Sequence, residues 1–181
     1  NVSIGLRKES SSWKMGVDLG LNCTPINEIV KDCDIISLLI PDQVMKEVYS
    51  ENIEPHLTEG KTLLFSHGYN IHYNLIQPPE FINVIMAAPS GAGSELRKQF
   101  KIGKGIPGLI AVHQDYSGDS FDIALSYSKA IGLTRMGVFE STFKEETETD
   151  LFGEQVILTG GIPKLIQSAY KVLLEANYNP I

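Results

Sequence analysis

A nearly unbroken apolar run, Asp34-Ile35-Ile36-Ser37-Leu38-Leu39-Ile40, ends at Pro41 and is followed at once by a helix-forming stretch over residues 44–49. A strand that is apolar on consecutive residues is apolar on both faces, which suits a parallel sheet covered by helices on either side. The alternation recurs along the chain. Strands are expected at residues 2–6, 21–24, 62–66, 83–88, 109–113 and 137–140, and helices at 13–19, 27–31, 44–49, 53–57 and 120–131. Strands and helices alternating at this spacing make βαβ units, so the expected class is α/β with a doubly wound, mainly parallel sheet.

The pattern changes near Phe143. Thr147 followed by Asp150 fits a capping box, and the segment to Leu158 reads as helix. Gly160-Gly161 reads as a break, with Pro163 opening a further helix on which Leu165, Ile166, Ala169, Val172, Leu173 and Ala176 repeat at helical spacing. Two units are therefore expected: a Rossmann-like domain over 1–142, and the beginning of an all-helical domain over 143–181.

Composition narrows the function. No apolar run approaches the ~20 residues that span a bilayer, so a membrane protein is excluded. The net charge of −7 argues against nucleic acid as a partner. Six of the 22 acids fall within residues 140–154, so the negative charge is concentrated. Cys23 and Cys33 form no CxxC and no disulfide framework, which fits reduced thiols in a cytoplasmic compartment. The opening Asn-Val-Ser-Ile-Gly has neither a basic start nor a signal core and looks like a strand already under way. The chain is expected to begin inside a domain, and an organelle-targeting peptide ahead of it would change the compartment.

Ligands of open α/β sheets bind beyond the carboxyl ends of the strands, and four segments fall at such places. In the first, Arg7 offers a fork of donors and Ser10 and Ser12 offer hydroxyls, the chemistry that accommodates a ribose 2′-phosphate. A surface loop with a helix cap uses the same residues. The stretch Gly103-Lys104-Gly105-Ile106-Pro107-Gly108 matches a GxGxxG pattern but leads into a strand, and Pro107 removes a donor, so it reads as a loop. In the second segment, Ile40-Pro41-Asp42-Gln43, backbone donors could line a nucleotide, or Asp42 could simply cap the helix. In the third, His67 follows a buried strand beside Gly68, where a proton relay or a structural histidine would both fit. In the fourth, Asp150 and Glu154 stand four residues apart on one helix face. Such a pair suits Mg2+ or forms a solvated acidic face.

Taken together, these segments resemble ketol-acid reductoisomerase. The resemblance rests on Gly5-Leu6-Arg7 with Ser10 and Ser12, His67-Gly68-Tyr69-Asn70-Ile71-His72-Tyr73, Val112-His113-Gln114-Asp115, and above all the stretch from Thr142 through Glu145, Thr149 and Asp150 to Gln155. It covers essentially the whole chain in order. It implies Mg2+-promoted alkyl migration in a 2-acetolactate-type substrate, followed by NADPH reduction to a 2,3-dihydroxy acid. It further implies Arg7, Ser10 and Ser12 on the NADP phosphate; Asp42, Gln43, Val44, Met45 and Gly93 along the cofactor; His67 as catalytic histidine; and Asp150 and Glu154 as metal ligands. A homo-oligomer is implied for the full-length protein.

The chain departs from that family in three places. The glycine fingerprint would lie ahead of Asn1, further metal-binding glutamates would lie beyond Ile181, and Ser90 stands where the family commonly has lysine. The expectation is accordingly a fragment with little turnover of its own. Two other classes use part of the same signal: an NADP-dependent hydroxy-acid dehydrogenase needs no acidic pair, and a non-catalytic nucleotide-binding module needs no His67.

Overall fold

A computed structural model describes residues 2–180. Five strands, β3 (Ile35–Leu38), β4 (Thr62–Phe65), β5 (Asn83–Pro89), β6 (Gly108–Gln114) and β7 (Val138–Glu140), form one sheet in sequence order. A separate parallel pair joins β1 (Ile4–Gly5) to β2 (Cys23–Thr24). The fold is Rossmann-like α/β, as the alternation implied. Within the larger sheet the pairing is parallel except between β5 and β6. The sequence did not announce that reversal.

All four residues of β4 are buried. Because side chains alternate along a strand, they feed two cores. Leu63 and Phe65 join Val30, Ile36, Leu38, Met45, Val84 and Met86 on one face. Leu64 joins Ile85, Ala87, Ile110 and Ala124 on the other. Burial of each such large side chain stabilises the fold by about 1.5–3 kcal/mol before entropy is counted.

The helices are α1 (Ser11–Asp18), α2 (Ile26–Asp32), α3 (Asp42–Val48), α4 (Tyr69–His72), α5 (Gly93–Lys101), α6 (Ser120–Ala130), α7 (Phe143–Phe152) and α8 (Ile162–Glu175). α6 supplies Ala124 to the second core, while α2, α3 and α7 contribute Val30, Met45 and Phe143 to the first. Phe143 fixes the start of α7 by packing edge-on against Phe65 at 6.1 Å and His113 at 5.5 Å between ring centroids. At the opposite end of the sheet, buried Asn83 ties down the 115–119 loop. Its Oδ1 accepts from Tyr116 N at 2.8 Å and Ser117 N at 3.0 Å, and its Nδ2 donates to Ser117 Oγ at 2.8 Å.

Several local expectations need correction. α4 and α5 were not anticipated; α5 is strongly polar, with Leu96 and Phe100 its main apolar signal. The helix expected at 53–57 is a π-turn over Tyr49–Ile53 followed by a 3₁₀ turn over Glu54–His56. Thr147 does not cap α7. It is fully buried inside the helix, and the cap is Thr142, whose Oγ1 accepts from Glu145 N at 3.0 Å. Asp42 does not cap α3 either: Pro41 holds that position and Asp42 is the first helical residue. Nor do Gly160 and Gly161 break the chain, because a π-helix over Gly153–Gly161 carries α7 into α8 without interruption. A Cβ on Gly160 would meet the Gln155 carbonyl oxygen at 2.6 Å, and one on Gly161 the Val156 carbonyl oxygen at 2.7 Å. The glycines make room for the wider turn.

Candidate active site

β3, β4 and β5 run parallel, so the turns that follow them open at the same end of the sheet. Those turns carry Asp42, His67 and Gly93 respectively. α7 crosses this end and packs against α4, bringing its acidic face onto the turn after β4.

Glu146 organises the contact. It is 5% exposed and uses both carboxylate oxygens. Oε1 accepts from His67 Nδ1 at 2.8 Å, and Oε2 accepts from the Gly68 backbone N–H at 2.8 Å. Gly68 permits the approach, since a Cβ there would lie 2.5 Å from Thr147 Oγ1 and 2.6 Å from the Phe143 carbonyl oxygen. An ionised carboxylate only accepts, so the His67 proton sits on Nδ1 and Nε2 is the free nitrogen of the neutral ring. Tyr69 stacks on the His67 ring with centroids 6.3 Å apart. One turn further on, His72 Nε2 pairs with Glu148 at 3.2 Å, a second tie between α4 and α7.

Asp150 joins the same group, its Oδ2 3.6 Å from His67 Nδ1. The hydrogen bond to Glu146 holds the His67 pKa above its ordinary value against the opposing effect of burial, and the charges of Glu146, Asp150 and Asp42 act in the same direction. Burial pushes the Asp150 pKa up; His67 opposes this, while the neighbouring charges of Glu154 and Glu146 reinforce it. A carboxylate crowded by two others is a place where a cation relieves repulsion. Donor atoms of His67, Glu146 and Asp150 lie within 4.8 Å of one another. Glu154, at the start of the π-helix, stands outside that tight group but close enough for its charge to act on Asp150. Carboxylate donors of this kind fit a hard divalent ion such as Mg2+.

The remaining expected residues are placed as follows. Ser10 is the N-cap of α1, its Oγ accepting from Trp13 N at 3.1 Å; Ser12 lies in the first turn and Arg7 is exposed in the preceding loop. These three follow β1, on the smaller sheet. Asp42, Gln43, Val44 and Met45 form the first turn of α3, with Met45 buried and the other three at least partly exposed. Gly93 opens α5, and a Cβ there would meet nothing. Glu146 was not singled out from sequence. Its spacing of four residues from Asp150 and eight from Glu154 was the available sign, since the three share one helical face.

Two family models divide this chain. Residues 1–137 match the acetohydroxy acid isomeroreductase NADPH-binding domain, and residues 143–181 match the ketol-acid reductoisomerase C-terminal domain. The ketol-acid reductoisomerase (NADP(+)) of Methanocaldococcus jannaschii is 53% identical over 180 residues, covering 99% of this chain and 54% of that relative. That of Sulfurisphaera tokodaii is 51% identical over 179 residues, covering 99% and 54%. The chain thus spans about half the length of these curated relatives. The solved structure of an NADH-preferring ketol-acid reductoisomerase from an uncultured archaeon superposes with a TM-score of 0.92 at 42% identity, over 99% of this chain and 56% of that one. A 3-hydroxyisobutyrate dehydrogenase from Mycobacterium tuberculosis, at 11% identity and a TM-score of 0.61 over 95% of this chain and 56% of that one, shares the fold alone.

Proposed function

The chain belongs to the ketol-acid reductoisomerase family, and from that premise we propose that the protein carrying it converts 2-acetolactate-type substrates to 2,3-dihydroxy acids in valine and isoleucine biosynthesis. The observation that carries the reading is the meeting of His67, Glu146 and Asp150 at the carboxyl end of the parallel strands. A nucleotide-binding module has no need of such a group, and a simple hydroxy-acid dehydrogenase has no need of its acids.

When bound, Mg2+ supplies Lewis-acid polarisation of the substrate oxygens and NADPH supplies the hydride. Asp150 and Glu154 hold the ion. Glu146 keeps the proton on His67 Nδ1, leaving Nε2 to take or return a proton at the substrate hydroxyl. Arg7, Ser10 and Ser12 bind the 2′-phosphate, and Asp42, Gln43, Val44, Met45 and Gly93 line the dinucleotide. The relatives above are named for NADP(+) and the solved structure for NADH; the Arg7 fork with adjacent hydroxyls supports NADPH here.

The domain division falls at 142/143, supported by the change of pattern there. α8 exposes Leu165, Ile166, Val172 and Leu173, which supports a homo-oligomeric full-length protein whose helical region covers that face. The two cysteines are free thiols, consistent with a cytoplasmic setting. The 181-residue chain alone turns over little substrate, because it spans about half the length of its relatives and the further metal-binding glutamates that the resemblance implies would lie outside it.

The test is NADPH consumption by the intact protein with 2-acetolactate, with and without Mg2+. Asp150→Asn should abolish the Mg2+-dependent turnover, and His67→Ala should lower kcat by about 10²–10⁴. If Asp150→Asn left catalysis intact, the hydroxy-acid dehydrogenase reading would replace this one. Robust Mg2+- and NADPH-dependent activity from the isolated 181 residues would overturn the fragment's inactivity.

A further inference from the structure

Asn70, the second residue of α4, is fully buried. Its Nδ2 donates to Asp42 Oδ1 at 2.9 Å and to the Asp42 backbone oxygen at 3.3 Å, with Met45 Sδ at 3.5 Å. Both strong partners are acceptors, so the amide can face them only through its nitrogen. Its Oδ1 is consequently left buried with no hydrogen-bond partner. A core position does not favour an orphaned acceptor, and a leucine of the same branching would fill the space without one. The feature that accounts for asparagine here is the link to Asp42.

That link joins two turns that open at the same end of the sheet: the one after β3, which enters α3 at Asp42, and the one after β4, which carries His67 and Gly68. Glu146 fixes the second turn to α7 from outside, and Asn70 fixes it to α3 from within. We propose that Asn70 is a positioning residue that holds the first turn of α3, and with it the dinucleotide-lining residues Asp42 to Met45, in register with His67. The inference rests on the functional reading above, in that it takes the α3 turn to line the dinucleotide.

The experiment compares NADPH affinity, by fluorescence titration of the intact protein, with thermal stability. Asn70→Leu removes the link and the orphaned oxygen together. It should leave the melting temperature unchanged or raise it, while NADPH binding weakens at least tenfold. A merely structural asparagine gives the reverse pattern, a lower melting temperature with unaltered affinity, and that result overturns the proposal. If Asn70→Leu does not fold, Asn70→Ser gives the second arm: it breaks the link to Asp42 with a smaller change and should weaken NADPH binding. Unchanged affinity in Asn70→Ser overturns the proposal. An unsubstituted protein that does not bind NADPH sinks the functional reading first and this inference with it, whereas normal NADPH binding with an inert Asn70→Leu sinks this inference alone.

Discussion

His67 has little freedom once a buried carboxylate takes its ring N–H and the neighbouring backbone N–H together. The folded-state pKa of His67 lies above the unfolded value, so its contribution to stability is complete below the unfolded pKa and is lost as pH rises through the folded one. Glu146→Gln should therefore bring the His67 titration, followed by NMR, back toward 6.5, and should cost more stability near about pH 6 than near about pH 9. Asp150 is an acid whose folded pKa is also raised, so its contribution to stability falls as pH rises from the unfolded pKa through the folded one. Asp150→Asn should raise stability at pH 7 by about 0.5 kcal/mol, a modest figure because nearly half the side chain meets solvent, and should remove any Mg2+-dependent shift in the melting temperature. Arg7→Ala should raise KM for NADPH by roughly tenfold or more and leave KM for NADH nearly unchanged, a loss on the scale of one charge-assisted hydrogen bond. His67 and Asp150 stand out in the sequence by residue type and spacing and lie side by side in the structure, whereas Glu154, expected on the same ground, lies outside their group. Glu146 shares that helical spacing, but six acids within residues 140–154 do not say which one turns inward. That depends on Gly68, whose missing side chain lets α7 come close.

At the scale of elements, Thr159, Gly160 and Gly161 encode the wide turn between α7 and α8. Thr159 Oγ1 donates to the Glu154 carbonyl oxygen at 2.8 Å, five residues back, while the two glycines clear space for the carbonyls of Gln155 and Val156. Gly160→Ala should destabilise the intact protein by about 1–3 kcal/mol in thermal melts, because its methyl group runs into backbone. Gly153→Ala, where a Cβ meets nothing, should instead stabilise the same segment by about 0.5–1 kcal/mol. From sequence alone a glycine pair reads as a stop, since it is the fold around it that decides between a break and a bulge. The cap of α7 was misplaced for a related reason. Thr142-x-x-Glu145 and Thr147-x-x-Asp150 offer equivalent local chemistry, and only the seating of Phe143 against Phe65 selects the first. α5 escaped notice because its apolar face is two residues wide.

At the scale of the whole molecule, the sheet was legible because strands buried on both faces carry continuous apolar runs, whichever way they point. For the same reason the direction of β6 was not legible: Leu109, Ile110 and Ala111 pack equally well in either sense. The connection from β5, 18 residues long and containing α5, is long enough for a parallel crossover. NADPH at about 100 times its Kd should raise the stability of the intact protein by about 2.7 kcal/mol, read as a concentration-dependent melting temperature. The reversal of β6 sends its last residue, Gln114, back beside Val84 near the start of β5, so the Asn83-anchored loop and the first turn of α6 lie at the far pole from His67. That pole offers a handle. A dye or surface tether coupled at exposed position 122 would report on the molecule, or immobilise it, without crowding whatever enters at the opposite mouth.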